Sequence, residues 1–207
     1  MTFEHTNFSE SNSDKVLDSG DRTDFSTGAV RDLHIGKGRF DLMPLDILAY
    51  FCSGDVNSDK VDQSFVTILQ NVFNFKRTGN IGFIHAAIHE FCNKLNISYY
   101  DMLLELAIHF ESGADKYGEH NWEKGIPIHS FLDSGIRHLC KYYSGRTDER
   151  HDRAFIWNMT CMIWMLINKP ELNDCITILP AESESKSEDT SESSSGFDED
   201  TEDKAES

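Results

Sequence analysis

Four places in this 207-residue chain set chemically capable side chains into apolar rows. Between residues 99 and 117, helical spacing aligns Tyr100, Leu103, Leu104, Ala107, Glu111 and Ala114 on one stripe. A carboxylate in such a row is costly unless a cation or metal neutralises it. Glu111, with Asp115 one turn on, therefore reads as a metal ligand or general base, or else as a surface glutamate at the end of the stripe. His138, beside Arg137, stands next to the row Leu132, Ile136, Leu139 and Tyr143. Asp148, Glu149, His151 and Asp152 open the last apolar segment. On a helix, Asp148 would share a face with His151 and with Asp152, and the plain alternative is capping by acids at a helix start. Asn158 follows His151 by two helical turns, and a buried amide needs hydrogen-bond partners. Together these residues offer oxygen-rich ligands with one or two imidazoles, a set suited to Mg²⁺ or Mn²⁺ more than Zn²⁺. Arg31, Lys37, Arg39, Lys116, Lys124 and Arg137, with Asn121, supply donors for a polyphosphate held between cations and metal. Taken one at a time, each of those basic residues is equally well a solvated surface charge.

The elements that must position these side chains are helical. Apolar residues recur at helical spacing over 59–75, 83–95, 99–117, 130–143 and 149–167, with a short helix at 45–52 after Pro44. Ser98 and Ser130 read as N-caps, and Gly118 sits where a helix end wants glycine. The segment 26–44, with Gly28, Gly36, Gly38 and Pro44, reads as an ordered loop with neither helix nor strand. No sustained period-two run is present, so the expected fold is all-α. Residues 1–24 read as a flexible arm, 25–180 as one helical domain, and 181–207 as a tail.

Charge supports that division. The chain carries 36 acidic against 19 basic residues, a formal net charge of −17, and eleven acids with only two lysines fall within 181–207. With Phe197 its one large apolar side chain, the tail cannot bury enough surface to offset its ordering entropy, so disorder is expected. An acidic body argues against non-specific nucleic-acid binding, which draws its affinity from phosphate neutralisation. The uncharged run 154–168 would span roughly 22 Å as a helix, short of a hydrocarbon core of about 30 Å, and reads as a buried core helix. The first residues show no signal-peptide pattern. Five cysteines without a CxxC pair fit reduced thiols in a cytoplasmic protein.

The strings TGAVRD and GKGRFDLMP within 27–44, HFESGADKYGEHNWEKGIP at 109–127, FLDSGIRHLCKYY at 131–143 and DERHDRAFIWN at 148–158 resemble the phage dATP/dGTP diphosphohydrolase family. These are MazG-like all-α NTP pyrophosphatases, which include the MazZ proteins of phages with 2-aminoadenine DNA. The resemblance implies metal-dependent cleavage of a purine dNTP, dGTP or dATP, between its α and β phosphates, with Mg²⁺ or Mn²⁺ as cofactor. It further implies Glu111 or Glu149 as general base, and a metal set drawn from Glu111, Asp115, His138, Asp148, His151 and Asp152. Arg31, Lys37, Arg39, Lys116, Asn121, Lys124, Arg137 and Asn158 become substrate contacts, and Trp122 either stacks on the base or plugs the fold. The MazG-like pattern ExxD, with Asn seven residues after its Asp, becomes here Asp148-x-x-His151 followed by Asn158, so His151 stands where the wider superfamily has Asp. Residues 53–98 read as an insertion relative to shorter relatives. MazG-like relatives assemble through helices, so a homo-oligomer sharing the 154–168 helix is expected.

Two rival readings follow from the same residues. His138, His151-Asp152 and Asp174 can be read as the H…HD…D pattern of metal phosphohydrolases that release tripolyphosphate. A catalytically silent helical nucleotide-binding module is the other.

Overall fold

The computed structural model describes residues 20–33, 37–43 and 61–176. Within them lie five long helices, α1 (Gln63–Thr78), α2 (Gly82–Leu95), α3 (Tyr99–Tyr117), α4 (Ile128–Tyr143) and α5 (His151–Asn168). Three short 3-10 turns lie at Phe40–Leu42, Trp122–Lys124 and Pro170–Leu172. The fold is all-α, as the periodicity requires. The expected helix at 45–52, residues 1–19 and the acidic tail lie outside the described residues.

One antiparallel hairpin departs from the sequence reading. β1 (Arg22–Asp24) pairs with β2 (Val30–Asp32), Thr23 facing Arg31. The end of the presumed arm and the start of the presumed loop thus pair as strands. Three-residue strands are too short to leave a period-two signal. The hairpin is held by tertiary bonds: the Asn121 side chain accepts from Val30 N at 3.0 Å and donates to Val30 O at 2.8 Å, an amide standing in for a third strand.

Side-chain caps set the starts of two of the five helices. The Asp62 side chain accepts from Ser64 N and Ser98 from Asp101 N, satisfying N-terminal donors of α1 and α3. Ser130 is no cap. α4 begins earlier, after Pro127, and the His129 backbone N–H donates to Asp174 from a loop 45 residues on.

α4 and α5 form the central pair, α1 packs on α2, and α3 lies along α5. Gly135 lets α4 approach α5: a Cβ there would stand 2.4 Å from Met159 Cε. α5 is the core helix expected, burying Phe155, Met159, Met162 and Met165. Ile167, near its C-terminal end, stays 65% exposed. No helix among the described residues is long and apolar enough to cross a membrane. α1 and α2 supply Ile68, Phe75, Ile84 and Phe91, all fully buried, with Phe91 edge-on to Phe155 at 5.1 Å.

α3 is the main correction. It buries Met102 and Leu106, while Tyr100, Leu103 and Leu104 are 81%, 57% and 66% exposed and Ala107 and Glu111 also face solvent. The stripe read as the inward face is the outward one. Periodicity finds a stripe but not its direction, and here the opposite face carries His109 and Phe110 toward Trp157.

Candidate active site

A cavity of about 730 Å³ opens between the hairpin, the 37–40 loop, α3, α4 and the start of α5. Its polar end is built at the α4–α5 junction. His138 comes from α4, Glu149 from the junction loop, and His151 is the first residue of α5. The two Nδ1 atoms stand 3.1 Å apart, and Glu149 Oε1 lies 3.3 Å from that of His138 and 3.5 Å from that of His151. His151 Nε2–H donates to Asp148 Oδ1 at 2.8 Å, which orients the ring so that Nδ1 faces the cluster. Lys141, one turn beyond His138, reaches Asp148 at 3.1 Å and Glu149 at 3.7 Å.

Electrostatics prepare this group for a cation. Burial pushes His138 down to about 3, keeping the imidazole neutral with a lone pair available. Burial pushes the Glu149 carboxyl up, but its contacts with His151, His138 and the Lys141 ammonium outweigh it and hold the group well below the usual carboxylate range. Asp148 is likewise held at about 2, burial being outweighed by hydrogen bonds from His151 and Lys141. A neutral His138 imidazole beside an ionised carboxylate is what a divalent ion requires.

The other nominated ligands lie elsewhere. Asp148 precedes α5 instead of sharing a helical face with His151, and touches the ring from behind. Asp152 pairs with Arg150 at 2.7 Å, and Arg150 in turn reaches Glu105 at 3.1 Å, on the side of α5 that meets α3. Glu111 lines the cavity but is exposed and stands outside the cluster, and Asp115 does not line it. Asp174 is engaged with His129. The H…HD…D reading needs Asp152 and Asp174 beside His138 and His151, and neither is there.

The cations sort in the same way. Lys37 lines the cavity, its ammonium pushed down by burial, with Asp32, Arg137, Lys116 and Glu149 acting on it. Arg31 is caged between Phe131 and Trp157, its guanidinium carbon 5.0 and 5.7 Å from the ring centres, and donates through Nη2 to Asn158 Oδ1 at 2.8 Å. Its buried Nη1 has no hydrogen-bond partner among the described residues. Arg39 is held on Asp41. Arg137 binds Asp133 and donates to the Lys37 and Gly38 carbonyls at 3.2 and 3.1 Å, so it ties the 37–40 loop to α4. Lys116 holds β2 through Asp32 at 2.8 Å, and neither it nor the exposed Lys124 lines the cavity. Asn121 spends its amide on Val30, and Asn158 turns its Nδ2 back to Ala154 O.

With this geometry in place, similarity to known proteins becomes informative. Residues 93–175 match the family model described as dATP/dGTP diphosphohydrolase, N-terminal. Over that stretch the resemblance to this hydrolase family holds. The matched dATP/dGTP diphosphohydrolase region runs from the end of α2 to the Asp174 loop and contains His138, Glu149 and His151. The hairpin, the 37–40 loop and α1 lie outside it. No curated protein and no solved structure matches the chain.

Part of the cavity wall is aromatic, with Phe110, Trp122 and Trp157 among its lining. Trp122 is edge-on to Trp164 at 5.0 Å and tilted on Phe110 at 5.6 Å, and Trp157 meets Phe110 and Phe131. His109 lies against Trp157, pushed down to about 4 by burial, and stays neutral. The sequence reading did not single out Lys141, His109, Trp157 or Asp133. A lysine three positions after His138 and an aspartate four before Arg137 are helical-neighbour signals that could have found two of them.

Proposed function

We propose that this protein hydrolyses purine deoxynucleoside triphosphates, dGTP or dATP, to the monophosphate and pyrophosphate with a divalent cation, Mg²⁺ or Mn²⁺. The observation that carries the reading is one cavity lined both by His138 and Glu149 of the cluster and by the aromatic rings of Phe110, Trp122 and Trp157. Such a cavity takes a triphosphate toward the cluster and a purine toward the aromatic wall. The family resemblance supports placing this activity in phage nucleotide-pool remodelling, such as supply for 2-aminoadenine DNA.

His138, Glu149 and His151 would hold the metal, which when bound polarises the phosphate and activates the attacking water. Asp148 keeps His151 in the tautomer and orientation that point Nδ1 at that position. Glu149, ionised before substrate arrives, orients the water and takes its proton. Lys37, Lys141 and the unspent Nη1 donor of Arg31 neutralise the triphosphate, while Arg137, Arg39 and Lys116 act indirectly by fixing the loop and hairpin that carry Lys37 and Arg31. Trp122 packs against the base. Self-association, expected of MazG-like relatives, would run through the exposed Tyr100–Leu104 face of α3.

Incubating the full chain with each dNTP and Mg²⁺ or Mn²⁺, with products separated by chromatography, tests this reading. Monophosphate plus pyrophosphate from purine substrates is the expected result. Tripolyphosphate would favour the other hydrolase class, and binding without turnover a silent module.

A further inference from the structure

The donor set at the α4–α5 junction says more about the metal than the proposed reaction requires. Magnesium takes oxygen ligands almost to the exclusion of others and keeps several waters, whereas imidazole nitrogen suits first-row transition ions. Two of the three converging atoms are imidazole nitrogens, His138 Nδ1 and His151 Nδ1. Ligand atoms about 2.1 Å from one ion and 90–110° apart lie roughly 3.0–3.4 Å from each other. The three spacings are 3.1, 3.3 and 3.5 Å, close to that range on every side.

The surroundings resemble a resident site more than a transient contact. His151 is buried, its side chain 1% exposed, and those of Glu149 and His138 are 11% and 15% exposed. The bond from His151 Nε2–H to Asp148 is the carboxylate–histidine arrangement that raises ligand basicity and fixes ring orientation at metal centres. Local charge also fits. Glu149 and Asp148 bring two negative charges against the one positive charge of Lys141, so a divalent ion offsets a local deficit.

We propose that His138, Glu149 and His151 form a resident site for a first-row divalent transition ion of the manganese-to-zinc series, filled before nucleotide binds, with Asp148 as its positioning residue. The proposal rests on the reading of this cavity as a nucleotide hydrolase site, but adds that the resident ion is distinct from any Mg²⁺ arriving on the triphosphate. The site selects for imidazole affinity, so excess Mg²⁺ does not displace its ion.

The test needs no nucleotide. The full chain is stripped with chelator, dialysed and titrated with Co²⁺, reading visible absorption and bound metal per chain. Expected are one Co²⁺ per chain with ligand-field bands, retention of that ion in 100-fold excess Mg²⁺, and nitrogen couplings from two imidazoles when Mn²⁺ is examined by pulsed electron paramagnetic resonance. His151→Ala and His138→Ala should each lose the bands, with far-UV circular dichroism reporting whether each variant still folds. Asp148→Asn should keep the one-to-one stoichiometry and weaken binding about 10- to 100-fold. Absence of the cobalt bands in the wild-type chain, displacement by Mg²⁺ at comparable concentration, or no nitrogen coupling would each overturn the proposal without variants. Pyrophosphate release by a chain that binds no Co²⁺ sinks the resident ion and leaves the hydrolase reading standing. Tight Co²⁺ binding with no turnover of any dNTP does the reverse.

Discussion

α3 and the α4–α5 seam each carry a glutamate that reads as catalytic, and they place it in opposite surroundings. Glu111 sits on a solvent-facing stripe with Tyr100, Leu103 and Leu104, where water already stabilises its charge. Glu149 sits in a junction loop with a side chain 11% exposed, against two imidazoles and a lysine. The stripe around Glu111 is the more apolar context on paper, yet it is the wetter one. A charge is costly, and therefore informative, only where the tertiary structure removes water from it. The seam meets that condition because Gly135 draws α4 onto α5 and buries what projects between them.

The contrast can be broken at several points. Phe155→Ala, in the seam, should destabilise the fold by about 3–5 kcal/mol, since the ring is fully buried against Phe91. Chemical denaturation measures it, and a loss under about 1 kcal/mol would mean the seam is loosely packed. Glu149→Gln should lower dNTP turnover by roughly 10²-fold or more at saturating metal, the scale of losing a positioned acid–base group. Activity near wild type would remove Glu149 from the chemistry. Gly135→Ala should cost about 1–3 kcal/mol, because the added methyl meets Met159 Cε and that side chain must shift. An unchanged melting curve would show that α4 and α5 have slack.

On α3 the expected effects are small. Glu111→Gln should leave turnover within about threefold, as an exposed carboxylate outside the cluster holds no ion by itself; a collapse of activity would restore it as the base. Leu104→Ser should change stability by no more than about 0.5 kcal/mol, being a surface substitution. The same variant, studied by light scattering, tests whether self-association runs through this face: an unchanged molar mass in an oligomeric wild type would place the interface elsewhere.

Much of the fold was legible because helices are local. Ser98 as a cap, Tyr99–Tyr117 as a helix and 154–168 as a core helix all follow from spacing, capping chemistry and the absence of charge. Where the readings missed, the deciding partner lay far along the chain. The start of α4 is capped by Asp174, 45 residues away, and three-residue strands are stabilised by Asn121, 91 residues away. Of the candidate site, His138, Glu149 and His151 were nominated together with Asp115, Asp152, Lys116 and Lys124, and residue type could not separate these groups. Separating them took the direction in which each side chain leaves its helix or loop.

The sequence by itself determined the helical class and nominated a wide set of residues with the chemistry for metal or phosphate, Lys141 not among them. Those properties depend on side-chain chemistry and on neighbours three or four positions away. Tertiary structure alone decided which stripe of α3 faces inward, which cations line the cavity and which donors meet. Those outcomes depend on how one helix is rotated against another, and rotation is set by the summed packing of the core, to which no single segment holds the key.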